Sequence, residues 1–385
     1  MELVLPVTQS RKLSKLRIIS IVIILIISAL RADGKDSVFS THTAHKLSGE
    51  VHSFHNIASH GYYRGVNPSG KAIAYGNSYH LKYSYTLPGT YQGAGIAYNT
   101  FYAPDLVGSP VSLYLFQGTR LANISQKLSF GYEWNLGLSG GWKSNVVINS
   151  NCNIYINVRL PFTWKISPEW EMIAGPQYTH FSNGDTRYPN GGANTFGLYV
   201  GVSHIWGEEP ATTLGKDVFT ADKDLKNTGI KDRLHYDIMI FGAWRAARIK
   251  NGHEVILINK TFLLGGASFN ALYKLNKHIY VGPSLDIQTD SSSGLYLDGT
   301  DYRSPGSLKQ TSCGVSINGE LEMPVFSINI GAGYNFIKNS GEQKKFYTTY
   351  KLKAPVSSKM YICMGYRLSA AQYTHNLMFG IGWKI

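Results

Sequence analysis

At 385 residues the chain has room for one or two domains. It is rich in tyrosine (26) and glycine (40), only 16% of its residues are charged, and its formal net charge is +13. A helical membrane protein would be far more apolar, and a soluble α/β enzyme would carry more Glu, Lys, Ala and Leu; abundant Tyr, Gly, Asn and Ser suit a β-barrel with a polar lumen and aromatic girdles.

Residues 1–32 read as an export signal. Arg11, Lys12, Lys15 and Arg17 form a basic region, and Ile18 to Leu30 is apolar except for Ser20 and Ser28. That run is too short for a membrane-spanning helix, which needs about 20 residues, and Leu30-Arg31-Ala32 offers a cleavage site before Asp33. With five basic residues and one acidic residue in the signal, the mature chain keeps +9, a charge suited to an anionic lipid surface. His42, His45, His52, His55 and His60 follow in a Ser/Gly-rich stretch without the spacing of a metal site, so neither metal nor cofactor is expected. Cys152, Cys313 and Cys363 form no CxxC pair, and no disulfide is assigned.

Along the mature chain the recurring signal is alternation over about ten residues, the length a tilted strand needs to cross a bilayer. Residues 171–182 place Glu171, Ile173, Gly175, Gln177, Thr179 and Phe181 on one face, and Met172, Ala174, Pro176, Tyr178, His180 and Ser182 on the other. After the turn-rich NGDTRYPNGGA, the chain returns with Asn194, Phe196, Leu198, Val200 and Val202 on one face. Residues 207–234 are polar and turn-rich. Beyond them, Ile279, Val281, Pro283, Leu285 and Ile287 share a face, then comes a long polar loop at 288–311 of the extracellular kind. Phe326 through Phe336 alternates, as do Met360, Ile362, Met364 and Tyr366, and the terminal Leu377, Phe379, Ile381, Trp383 and Ile385. A last strand ending on a large apolar residue is typical of barrels inserted into outer membranes.

The expected fold is therefore all-β, an antiparallel transmembrane outer-membrane β-barrel of a Gram-negative-type cell. The expected parts are the signal (1–32), a first barrel half (33–206), a connection (207–234) and a second half (235–385). Each half holds about seven or eight strands; one barrel of about 14 strands (12–16) is preferred, with two consecutive eight-stranded barrels as the alternative. Basic residues are not interleaved with aromatics along one strand, so nucleic acid is not an expected partner.

Because strands alternate strictly, His180 and Ser182 fall on the apolar, lipid-directed face, and Asn194 heads the returning strand on its own apolar face. The bland explanation is an interfacial band where polar groups cost little. The functional one is a serine nucleophile with a base in reach, itself oriented by a third group. His180-Phe181-Ser182-Asn183-Gly184, followed by Tyr188-Pro189-Asn190 and Asn194, resembles the H-x-S-N signature of PagL-type lipid A 3-O-deacylases, particularly the longer members described as acyloxyacyl hydrolases. Gly108-Ser109-Pro110-Val111, Leu115-Phe116-Gln117-Gly118 and Tyr132-Glu133-Trp134-Asn135 are similar to runs in those longer members. The enzyme-like resemblance covers about residues 50–206; the second half resembles the longer members alone.

That resemblance implies serine esterase chemistry on an acyl ester of lipid A, worked from the barrel's outer wall. Ser182 would be the nucleophile, His180 the general base, and Asn183 and Asn190 polar groups around the oxyanion. The family's well-studied members carry glutamate twelve residues after the serine, where this chain has Asn194. An amide can fix the imidazole but cannot offset its positive charge, and in serine proteases that exchange costs about 10⁴-fold in turnover. The alternative is a catalytically weak or inactive, porin-like or structural outer-membrane barrel.

Overall fold

The computed structural model describes residues 44–207 and 229–385, apart from 59, 88–89, 252–253, 300, 324–325, 339–344 and 370–372. Residues 1–32, expected as an export signal, His42 and most of the 207–234 connection lie outside the described residues.

The first half forms β1 (His45–Asn56), β2 (Tyr75–Leu87), β3 (Thr90–Thr100), β4 (Gly108–Asn123), β5 (Leu128–Trp142), β6 (Cys152–Arg159), β7 (Phe162–Lys165), β8 (Trp170–Ser182) and β9 (Ala193–Trp206). Each pairs antiparallel with its neighbour, and β1 returns to β9 with Ser48 opposite Ser203. Strands β6 and β7 both lie between β5 and β8 and are the two parts of one broken strand. The break falls at Leu160-Pro161, beside Pro176 of β8; neither proline has an N–H to give the ladder, and Leu160 N–H instead donates to Pro176 O (3.1 Å). The result is a closed barrel of eight strands.

The second half builds β10 (Leu234–Asn251), β11 (Glu254–Lys274), β12 (Ile279–Asp290), the small hairpin β13 (Tyr296–Asp298) and β14 (Asp301–Arg303), then β15 (Thr311–Glu322), β16 (Ser327–Lys338), β17 (Phe346–Pro355), β18 (Met360–Ser369) and β19 (Tyr373–Lys384). All but the hairpin form a second closed barrel, sealed where β19 meets β10 with Ile381 opposite Ile240. The protein thus adopts the two-barrel arrangement rather than one barrel of about 14 strands. Alternation is the same in either case; what decides is which strand ends meet, and each half pairs its own first and last strands. The expected 288–311 loop is partly ordered, with β12 running to Asp290 and the β13–β14 hairpin inside it.

Burial is inverted relative to a soluble sheet. In β1, Ser48, Glu50 and His52 are buried while Leu47 and Val51 are exposed, and in β9 Phe196, Leu198, Val200 and Val202 are exposed. Leu285, Ile287, Ile330, Phe336 and Ile381 continue the apolar belt around the second barrel. No helix among the described residues is long and apolar enough to cross a membrane; the crossing is made by strands. Both barrels have short turns at one end (123–128, 165–170, 274–279, 355–360). At the other the first carries its longer connections and the second its 290–311 loop, and the contacts Trp134–Phe326 near the short-turn end and Ser182–Tyr366 near the other set them in the same sense.

They pack side by side. Outward residues Leu115, Trp134 and Leu136 of the first barrel meet Phe326, Ile328 and Leu352 of the second, with Trp134 edge-on to Phe326 at 5.6 Å between ring centroids. Nearer the long-loop end, Leu136, Leu138, Ile154 and Ile156 meet Tyr366, Leu377 and Phe379.

The first lumen is filled by ions. Arg159 reaches Glu50 (2.5 Å) and Glu133 (2.8 Å), Lys82 joins the same two carboxylates (3.4 and 2.7 Å), and His52 bonds Glu50 (2.9 Å). Two carboxylates and two cations make a neutral quartet that no bulk water screens. Removing one member leaves an uncompensated buried charge, so Arg159→Leu is expected to destabilise the barrel by about 3–5 kcal/mol, read from urea unfolding in lipid vesicles.

Candidate active site

Strand β8 places its side chains as the alternation requires. Glu171, Gln177, Thr179 and Phe181 are buried inside, whereas Trp170 and Tyr178 are exposed on the wall, and His180 and Ser182 follow Tyr178 on that outer face. In the β8–β9 ladder His180 lies opposite Asn194. Their side chains meet, His180 Nδ1 to Asn194 Oδ1 at 2.7 Å, and Asn194 Oδ1 also accepts from Tyr178 Oη at 2.7 Å. An amide oxygen can only accept, so it holds the proton on Nδ1 and leaves Nε2 as the imidazole's free basic nitrogen.

The loop that carries Asn183 and Asn190 is fastened at both ends. Asn183 N–H donates to Asn190 Oδ1 (3.0 Å), Asn183 Nδ2 to Arg187 O (3.0 Å), and Asn190 Nδ2 to Asp185 Oδ1 (3.0 Å). The 145–150 connection clamps it from the side: Gly191 N–H donates to Val147 O (2.7 Å), Asn149 N–H to Pro189 O (3.1 Å) and Asn149 Nδ2 to Tyr188 O (2.8 Å). Beneath, Phe54, Tyr63, Phe101, Trp142, Tyr155 and Phe181 form an aromatic cluster in the barrel mouth, and Tyr63 Oη reaches Gly192 O at 3.3 Å. Asn183 and Asn190 therefore lie beside Ser182 but are turned towards the loop's own groups.

Ser182 is 3% exposed. Its Oγ lies 3.2 Å from Tyr366 Oη of the second barrel, and among the described residues it forms no hydrogen bond with His180. The two are close nonetheless: a Cβ built on Gly192 would stand 3.3 Å from His180 Cε1 and 3.8 Å from Ser182 Cβ. Catalytic hydrogen bonds in unliganded sites are often long and tighten when substrate binds. Asp185, a conceivable third member, accepts from Asn190 and, through its backbone oxygen, from Ala246 N–H (2.8 Å), not from His180.

The second barrel's contribution is invisible from the H-x-S-N segment alone. The available signal was the alternation that put Tyr366 on the apolar face of its strand, but no pattern told which strand of the first barrel it would face. Strand parity also disperses the N-terminal histidines: His52 enters the lumen, whereas His55 is exposed and meets Tyr75 edge-on, and His60 caps the 61–64 turn. Glu50, His52 and His80 converge closely enough to hold a metal ion, but His52 Nδ1 and Nε2 are engaged by Gln177 and Glu50 and the Glu50 carboxylate by Arg159. The three cysteines are unpaired.

A hydroxyl covered by the second barrel, with an imidazole and an amide beside it on the outer wall of a closed antiparallel barrel, makes a candidate hydrolytic site on an outer-membrane β-barrel. The chain belongs to the family of lipid A 3-O-deacylases and acyloxyacyl hydrolases: residues 69–203 match the model described as Lipid A 3-O-deacylase (PagL), and residues 234–385 match Acyloxyacyl hydrolase, C-terminal domain. The junction between the matches falls between the two barrels. Among solved structures, Neisserial surface protein A is similar at 13% identity and TM-score 0.29, over 43% of this chain and 97% of that one. The outer membrane enzyme PagL is similar at 16% identity and TM-score 0.26, over 40% of this chain and 97% of that one. The Ralstonia pickettii toluene transporter TbuX aligns over 93% of each chain at 10% identity and TM-score 0.18. No curated protein matches the chain.

Gly192 has φ +65°, and a Cβ there would come within 2.9 Å of Phe181 O as well as against the imidazole. Gly192→Ala is therefore expected to push His180 away from Ser182. Labelling of Ser182 by a fluorophosphonate probe should slow by about 10- to 100-fold, the scale of an ångström-sized misplacement, while the barrel still folds.

Proposed function

We propose that the protein is an exported outer-membrane serine esterase that hydrolyses a fatty-acyl ester of lipid A from the lipid-facing wall of its first barrel. Ser182 is the nucleophile, His180 its general base, and Asn194 the group that orients the imidazole. The observation that carries this reading is the His180–Asn194 contact at 2.7 Å on the outer face, one turn of the pleat from Ser182. Polar groups on the outer wall of a membrane barrel have little structural use, and these three lie at the edge of the seam where an acyl ester would approach Ser182 from the bilayer side. The family match supplies the substrate class. Residues 1–32 serve as the cleaved export signal, and the long-loop end of both barrels faces the cell exterior.

In the reaction His180 Nε2 takes the Ser182 proton as Oγ bonds to the acyl carbon, and the carbonyl π electrons move onto oxygen. Collapse of that oxyanion breaks the ester C–O bond, and the departing lipid A alkoxide takes the proton from His180. Water, deprotonated by the same imidazole, then attacks the acyl-enzyme and releases the fatty acid and Ser182.

A second reading, a weak or inactive barrel, draws on the pairing of Ser182 with Tyr366 rather than with His180. A pore is the less favoured form of it, because Arg159, Lys82, Glu50 and Glu133 occupy the first lumen, and Lys353, Asp237 and Glu320 interlock in the second. Mass spectrometry of lipid A from cells expressing folded wild type or Ser182→Ala separates the readings. The enzyme reading expects loss of one acyl chain with wild type and none with Ser182→Ala or His180→Ala, each reduced by at least about 10³-fold. An unchanged acyl pattern with inserted wild type leaves the inactive barrel. A further expectation concerns charge: Asn194→Asp, nearly isosteric, should raise turnover, by up to about 10²-fold, because a carboxylate stabilises the imidazolium that an amide cannot.

A further inference from the structure

The second barrel has so far only been a neighbour. Yet where β18 and β19 pair, Tyr366 lies opposite Leu377, and both reach the end of β8. Tyr366 Oη stands 3.2 Å from Ser182 Oγ, and Leu377 packs over Gly184, where a Cβ would come 2.5 Å from Leu377 Cγ. Gly184, at φ +63°, is thus the position whose missing side chain lets the second barrel close on the serine. Ala246 N–H to Asp185 O (2.8 Å) fixes the same loop to β10.

Oxyanion stabilisation needs donors aimed at the carbonyl oxygen. The groups nearest Ser182 on its own barrel are committed to the loop: Asn183 N–H serves Asn190, and the amides of Asn183 and Asn190 are drawn to Arg187 O and Asp185. Tyr366 differs. Its hydroxyl is 8% exposed with the rest of the residue, sits in an apolar seam among Ile154, Leu377 and Phe379, and is directed at Ser182 Oγ. In a tetrahedral intermediate the oxyanion is bonded to the same carbon as Oγ, so a donor beside Oγ lies beside the oxyanion too.

We propose that Tyr366 of the second barrel donates its hydroxyl to the oxyanion formed at Ser182, so that one esterase site is divided between two barrels. The proposal rests on the esterase reading above. An incoming acyl carbonyl displaces the phenol from Oγ and leaves it at the carbonyl oxygen. The proton stays on Tyr366 throughout, strengthening its bond as charge develops and relaxing it on collapse, while Ser182's proton travels through His180. The water-poor seam strengthens that bond.

Tyr366→Phe removes the hydroxyl and keeps the ring that packs the seam. With purified full-length protein in lipid A-containing vesicles, fatty-acid release is measured for wild type, Tyr366→Phe and Tyr334→Phe, the last removing a phenol hydroxyl from the exposed outer face of the second barrel. Wild-type release establishes the esterase reading first; its absence fails that reading and leaves the two failures distinct. Given wild-type release, Tyr366→Phe is expected to lower kcat by about 10²- to 10³-fold with KM little changed, and Tyr334→Phe to match wild type. Unchanged or increased kcat in a folded Tyr366→Phe barrel overturns the proposal, the increase marking Tyr366 as a latch on the serine. A rise in KM at constant kcat overturns it as well, since that is the mark of a seam that only admits substrate.

Discussion

Inside a bilayer every backbone N–H and C=O must find a partner within the protein, and a sheet meets that demand only by closing on itself. Closure then forces the side chains into two populations, because successive residues of a strand point to opposite faces. One population must be apolar enough for lipid; the other is sealed in a lumen with no core of its own. Here the sealed side is polar and ionic. Arg159, Lys82, Glu50, Glu133 and His52 hold the first lumen, and Asp286, Ser268, Ser316 and Tyr347 join with the Lys353–Glu320–Asp237 cluster in the second. Such networks are costly to break and fix the lumen side chains in place. The outer wall is the side that meets a membrane substrate, and the proposed site of Ser182, His180 and Asn194 stands on it.

An outer wall in lipid is not by itself a selective place. Side-by-side packing of two barrels converts part of it into a seam, and the seam is where the outward polar residues of the first barrel find cover. Gln117, buried on the outer face, accepts from Trp134 Nε1 (2.6 Å), while Trp134 packs on Phe326 of the second barrel. The same seam reaches Ser182 at its other end. Runs 115–118 and 132–135 supply Leu115 and Trp134 to this contact, and Gln117 holds the Trp134 indole in place. In this chain they pack against the second barrel, so the two matched regions meet in one seam.

Much of this was legible in the sequence because period-two alternation is unambiguous once a chain is committed to strands. The faces of β8, β12, β16, β18 and β19 follow directly from it, and with them the outward position of His180 and Ser182. Closure was not legible. Strand β19 joins β10, and β9 joins β1, through backbone groups that every residue carries alike, so nothing in side-chain order told one large barrel from two. The contact of Tyr366 with Ser182 was hidden for a similar reason: each residue's face was readable, but the rotation of one barrel against the other depends on shape summed over many residues, including the space left by Gly184.

Asn194 in the place of a family glutamate takes on a different aspect in this setting. A carboxylate on a lipid-facing wall must be held charged where water is scarce, and an isolated ion there is costly unless it is paired. The amide avoids that cost, and its oxygen is shared by two donors, His180 Nδ1 and Tyr178 Oη, which fix the imidazole from its far side. What the amide gives up is the charge that would steady an imidazolium during proton transfer. A site that lacks this compensation gains most from a donor at the opposite pole of the transition state, where negative charge gathers on oxygen. The Tyr366 hydroxyl, carried to Ser182 by the second barrel, stands at that pole. The amide on one barrel and the phenol on the other are, on this view, two parts of a single electrostatic arrangement.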